Sequence, residues 1–163
     1  MACGSCRRGP RPLVVREVIA AVERIVAEVI KRAKLKDRTG GYFCLLNHAT
    51  GEFLIRPRVI GMVTDRAKRR KYQYLCMEKA IRLSVMEDER GVDVTSWQSR
   101  DEEKQRYGGA VLTETDYIFS FSGLPELCDE AAMIIAAVKS GQMSYGRARK
   151  CARFSNNLVD WGF

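Results

Sequence analysis

Eight consecutive residues, Ala131 to Val138 (AAMIIAAV), put no polar side chain on any side of the helix they predict. A helix that is apolar all round must be covered on two sides, so another layer of this chain or another subunit has to lie over it. The spacing predicts that helix over 125–140, with Pro125 at its first position, Glu126, Asp129 and Glu130 near its positive end, and Gly141 as its stop. A chain of 163 residues with 46% hydrophobic content is long enough to core one domain around it, predicted over 12–163 behind a flexible basic tail over 1–11. The longest apolar run is far short of the roughly 18 residues that span a bilayer, and the N-terminal stretch lacks the apolar core of a secretory signal. These features predict a cytoplasmic protein with no membrane partner.

Ahead of the apolar helix, helical and strand-like patterns alternate. Over 13–36, Val15, Val18, Val22, Ile25 and Val29 recur at spacings of three and four, which predicts an amphipathic helix of about six turns, with Pro12 standing where it would begin. GGYFCLLNHATGEFLIRPRVI predicts a β-hairpin with strands at 42–46 and 53–55 and a turn near Gly51. Pro57 either ends the second strand or marks a sheet edge. A second helix takes Thr64 or Asp65 as its N-cap, buries Tyr72, Leu75, Cys76, Ala80 and Leu83, and ends before Gly91. The stretch 92–106 predicts a loop or a short strand. Gly108-Gly109 then opens a second hairpin, 110–112 and 117–121, joined by Glu114-Thr115-Asp116, and a short helix near 145–154 follows the apolar one. Strands grouped in pairs between helices predict an α+β fold, an antiparallel sheet flanked by helices.

The chemistry-bearing residues are sparse. Cys44, Cys76, Cys128 and Cys151 fall inside apolar patterns and read as buried reduced thiols, although Cys128 also sits in a first helical turn, where a thiolate is favoured. Cys3 and Cys6 have C-x-x-C spacing, but no second such pair or histidine pair completes four ligands, and no metal site is predicted. A formal charge of +8 permits contact with phosphates, anionic lipid or an acidic protein. Arg66, Lys68, Arg69, Arg70 and Lys71 crowd the first turns of the second helix, where the macrodipole disfavours positive charge. They read either as a solvated basic face or, with Arg7, Arg8 and Arg11, as a phosphate or nucleic-acid surface on which Tyr72 and Tyr74 would stack bases. No catalytic constellation emerges: Asp129 and Glu130 point about 100° apart on a helix. Thr113, Ser120 and Ser122 have no base beside them, because the only histidine, His48, lies in another hairpin. The reading therefore leans away from an enzyme. Trp161 and Phe163 are expected to dock on a neighbouring subunit or on the chain's own surface.

Four elements together resemble the GlcG/HbpS-like family, which includes the C-terminal domain of some corrinoid adenosyltransferases: LLNHATGEFLIRPR, the Lys79-Ala80 pair, Gly108-Gly109-Ala110, and Ser122-Gly123 followed by Asp129-Glu130. The resemblance covers 12–141. It implies a profilin-like or PAS-like sandwich, a homo-oligomer, and a non-enzymatic sensory or accessory domain that binds a small molecule, with haem among the ligands of such proteins. On that reading the pocket lies between the sheet and the loops at Gly51, Gly108 and Gly123, and His48, Gly109 and Ser122 complete the ligand-binding set. The chain departs from the family pattern at Leu124-Pro125, where a second small residue is usual, and in having its one histidine in the first hairpin turn. Axial haem ligands are drawn from His, Cys, Met and Tyr, which makes His48, Tyr107, Tyr117 and the methionines the formal choices. Glu126, Asp129 and Glu130 occupy the field an anion would use at the Ser-Gly corner, so Ser122 and Gly123 are expected to admit a neutral ligand.

Overall fold

The computed structural model describes residues 11–88 and 91–157. Cys3, Cys6, Arg7, Arg8, Trp161 and Phe163, and the readings placed on them, lie outside the described residues. In chain order the elements are α1 (Val15–Arg32), β1 (Gly40–Asn47), β2 (Phe53–Gly61), α2 (Arg66–Val85), β3 (Glu87–Asp88), β4 (Gly91–Val92), a 3₁₀ turn (Ser96–Ser99), β5 (Ala110–Leu112), β6 (Tyr117–Ser122), α3 (Glu126–Lys139) and α4 (Tyr145–Ser155). Four strands form one antiparallel sheet in the order β2-β1-β6-β5, and β3 pairs with β4 apart from it. The α+β class read from the sequence holds, with helices on both faces of the sheet.

Strand alternation decides what each face meets. Phe43, Leu45, Phe119 and Phe121 turn to one face and join a core with Val22, Val26 and Val29 of α1 and Met133 and Ala136 of α3. Tyr42, Cys44, Leu46 and Ile118 turn to the other and meet Cys76, Ala80 and Leu83 of α2. The Sγ atoms of Cys44 and Cys76 lie 3.1 Å apart in that second core, and burial pushes the Cys44 thiol well up. The all-apolar stretch of α3, Ala131 to Val138, lies in a helix covered by the sheet, by α1 and by α4. Of the two covers its sequence allowed, this chain's own layers supply the one observed.

Several boundaries differ from the periodic reading, each for a local reason. α1 stops four residues short of 36 because Lys34 takes a left-handed φ of 54°, the Lys34 N–H donates to the Lys31 carbonyl, and the Leu35 N–H donates to the Ile30 carbonyl. This is a Schellman ending without its usual glycine, which a search for Gly or Asn passes over. Pro12 precedes α1 without entering it; the helix begins at Val15. β2 runs through Pro57 to Gly61, and the proline is tolerated because β2 is an outer strand whose register shifts beside it. Asp65 is the N-cap of α2, accepting from the Lys68 N–H at 2.9 Å. Pro125 takes the N-cap position of α3 and Glu126 the first helical one. The stretch 92–106 is tied down by Arg82 of α2, whose guanidinium donates to the carbonyls of Ser96 (2.9 Å) and Tyr107 (2.7 Å).

Candidate functional site

The corner Ser122-Gly123-Leu124-Pro125, between the end of β6 and the start of α3, forms one wall of a cleft of about 570 Å³. Alternation along β6 explains its chemistry: Phe119 and Phe121 turn away into the α1/α3 core, while Ser120 faces α2, bonding the Cys76 carbonyl at 2.7 Å, and Ser122 follows it on the same side. The N-terminal half of α2 forms the opposite wall with Lys68, Lys71, Tyr72 and Leu75, and Arg38 stands at the rim, donating to the Tyr72 hydroxyl at 2.7 Å.

The floor is a buried ion pair. Lys79 Nζ is 2.9 Å from Asp129 Oδ2 and 2.9 Å from the Phe121 carbonyl, and the two residues are only 1% and 2% exposed. Asp129 Oδ1 accepts from the Leu124 N–H at 2.8 Å, so the carboxylate also pins the corner. Burial pushes the Asp129 carboxyl up to about 6; Lys79 and the backbone N–H groups of Leu124 and Gly123 offset only part of that. Gly109 makes the pair fit: its φ is +125°, and a Cβ there would stand 2.7 Å from Lys79 Nζ and 2.9 Å from the Asp129 Cβ.

The other carboxylates of α3 are engaged inside the fold. Burial raises the Glu126 carboxyl, but Arg100 at 3.0 Å and the Gly108 N–H at 3.0 Å outweigh it and hold Glu126 below its ordinary range. Glu130 turns to the far side, accepting from Thr95 Oγ1 at 2.6 Å, from the Ser155 hydroxyl and from the Asn157 amide, and burial raises its carboxyl. Asp129 and Glu130 thus face different surroundings, as their adjacent helical positions require. At the rim, the ammonium groups of Lys68 and Lys71 make no ion pair among the described residues. α3's acids are thus each paired or turned away, and the rim of the cleft carries Lys68 and Lys71 together with Arg38 and Asp37, whose side chains lie 3.6 Å apart.

The register separates the ligand-binding residues read from the sequence. Tyr42 pairs with Ser122 at one end of the sheet and Asn47 with Tyr117 at the other, about 17 Å apart at the rise of a strand. Ser122 and Gly123 line the cleft; Gly108 and Gly109 buttress it from behind; His48 and Gly51 lie in the β1–β2 turn at the opposite end, where Gly51 borders open space. A pocket gathering Gly51 with Gly108 and Gly123 is not formed. Nor do the five cations of the second helix share one face: Lys68 and Lys71 reach the cleft, Arg69 folds back onto the Val63 carbonyl, and Arg66 and Arg70 fall on the outward side. Lys79 was missed as a site residue, although a lysine between Cys76 and Leu83 in an otherwise apolar stripe was the signal.

Of the formal axial haem donors, the residues lining the cleft include Tyr72, whose hydroxyl accepts from Arg38, and Tyr107, but no His, Cys or Met, and His48 lies at the other end of the sheet. Among the described residues no three His, Cys, Asp or Glu side chains gather as metal ligands, and no described helix is long and apolar enough to cross a membrane. Cys128 is half-buried, and burial together with the neighbouring Asp129 raises its thiol, against the pull of the helix N-terminus. A scan against protein-family models, a search of curated proteins and a search of solved structures each return no match to this chain.

Proposed function

We propose that the chain is a non-enzymatic ligand-binding domain, a profilin-like sandwich of GlcG/HbpS-like type, whose cleft between α2 and the β6–α3 corner takes a small anionic molecule. The observation that supports this reading is the charge of the cleft: Lys68 and Lys71, without ion-pair partners among the described residues, stand at the rim beside the Arg38–Asp37 pair, above carboxylates already committed to Lys79 and Arg100. A phosphate or carboxylate group would sit among Arg38, Lys68 and Lys71, and the rest of the ligand against Tyr72, Leu75 and Leu124. The spread of the five α2 cations around the helix supports a compact anion over a nucleic-acid strand, which needs a continuous track.

Calorimetric titration with pyrophosphate tests this. One site per chain is expected, with affinity lowered at least about tenfold by Lys68→Glu with Lys71→Glu, the scale of losing one or two charge-assisted contacts. Arg66→Glu with Arg70→Glu should leave that affinity within about twofold, since neither residue lines the cleft. Absence of binding by the unaltered chain, or equal losses in both pairs, would remove the reading.

A further inference from the structure

The core between the sheet and α2 holds two cysteines that take no part in lining the cleft. Cys44 lies in the middle of β1 and Cys76 on the sheet-facing side of α2, 32 residues further along the chain, and both are fully buried. Their Sγ atoms stand 3.1 Å apart. Each sulfur otherwise reaches only a backbone carbonyl, Cys44 Sγ that of Cys76 at 3.5 Å and Cys76 Sγ that of Ser120 at 3.4 Å. The contact is held from both sides: Cys44 is opposite Ser120 in the β1–β6 register, and the Ser120 hydroxyl donates to the Cys76 carbonyl at 2.7 Å. A disulfide sets its sulfurs about 2.05 Å apart, so closing this pair takes a movement of about 1 Å. Neither Cys128 nor Cys151 has another sulfur within hydrogen-bonding reach among the described residues.

We propose that Cys44 and Cys76 are a modification site, which hydrogen peroxide oxidises to a disulfide tying α2 to β1. One sulfur, as its thiolate, attacks a peroxide oxygen; the O–O bond breaks, the sulfur becomes a sulfenic acid, and the departing hydroxide takes up the thiol's proton as water. The other sulfur, deprotonated in turn, attacks the sulfenic sulfur; the S–S bond forms and the second hydroxide leaves as water. Two thiols and one peroxide thus give one disulfide and two waters. Contact between the sulfurs decides the product, because a sulfenic acid beside a thiol condenses with it. Burial holds the Cys44 thiol protonated, and the Lys79 ammonium, one turn beyond Cys76, offsets only part of that, so the reaction waits on local opening of α2 from the sheet. Its consequence falls on the cleft: Cys76 lies between Leu75 of the wall and Lys79 of the floor, so the bond fixes that wall against the sheet. The site is independent of the anion reading, since neither cysteine lines the cleft.

Mass spectrometry of the full chain tests this after incubation with hydrogen peroxide under native conditions, followed by unfolding and alkylation of the remaining thiols. The expected product escapes alkylation at Cys44 and Cys76, and its peptide map joins the two within one chain. Dithiothreitol should return both to the alkylated pool. Closing a loop of this length should also raise the urea midpoint by about 1 M over the reduced chain. Cys76→Ala, treated alike, should show neither the link nor the rise, and the map of the unaltered chain decides the matter even if that variant fails to fold. Recovery of Cys44 and Cys76 as free thiols, their linkage to other cysteines, or their oxidation to sulfinic acids would each overturn the proposal. So would a Cys44–Cys76 link that leaves the urea midpoint unchanged or lowers it.

Discussion

Gly109→Ala is expected to destabilise the fold by at least about 3 kcal/mol, and to do so by breaking the floor of the cleft. Two costs add at this position. The backbone holds a φ of +125°, which an L side chain rarely adopts, and the added methyl would stand 2.7 Å from Lys79 Nζ, 2.9 Å from the Asp129 Cβ and 3.0 Å from the Phe121 carbonyl. Lys79 has little room to yield: its ammonium is held between that carbonyl and the Asp129 carboxylate, and it is buried. Urea unfolding measures the loss. A change within about 0.5 kcal/mol, the range of a neutral surface substitution, would show that Gly109 does not set the packing around the pair. Gly51→Ala provides the control at a second left-handed glycine, since a Cβ there meets nothing within 4 Å and only the backbone term remains.

The second large effect concerns the pair itself. Asp129→Ala leaves a buried ammonium without its carboxylate and leaves the Leu124 N–H without its acceptor, and the expected cost is about 3–5 kcal/mol. Lys79→Met combined with Asp129→Asn removes both charges and keeps an acceptor for Leu124, so it should recover most of that loss. Asp129 also makes stability depend on pH. Its folded carboxyl titrates near 6 against 3.8 for an unperturbed aspartate, so across that window the folded chain holds a proton that the unfolded chain has released. The stability from this group is therefore complete below the ordinary aspartate range and is lost as pH rises through 6. Relative to Asp129→Asn, the unaltered chain is expected to gain up to about 3 kcal/mol between neutral pH and pH 4. Buried Glu130 shifts in the same direction in both proteins and cancels from the comparison. A difference that is flat with pH, or that grows toward alkaline pH, would contradict the environment described for Asp129.

The elements of the fold were legible because each carries a local signature. The three-four spacing of α1, the Gly51 turn between β1 and β2, the Asp65 cap and the polar link before β6 depend on neighbours close in sequence, and they lie where those patterns put them. The Schellman ending at Lys34 was not legible, because a left-handed lysine leaves no compositional mark. The candidate site was legible only at the Ser122-Gly123 corner. Which end of the sheet receives each loop is set by strand register, so His48 and Gly51 could be grouped with Gly123 on paper although the pairing of Tyr42 with Ser122 holds them apart. The partner of Asp129 lies 50 residues away on another element, and no local pattern joins the two. An exposed apolar stripe on α2 was masked in a different way: with apolar residues on both sides, the buried set Leu75, Cys76, Ala80 and Leu83 accounts for the periodicity, and Tyr74, Met77, Ile81 and Val85 go unnoticed beside it.

Whether the cleft at the β6–α3 corner is where this chain binds an anion is tested by amide chemical-shift mapping during a pyrophosphate titration. Saturable shifts are predicted at Ser122, Gly123 and Leu124 together with Lys71, Tyr72 and Leu75, the two walls of one cleft. Another groove, between α1 and α3, is lined by Arg24, Glu28, Arg32 and Lys139. Shifts confined to that groove or to Arg66 and Arg70, with the Ser122–Leu124 amides unmoved, would contradict the assignment.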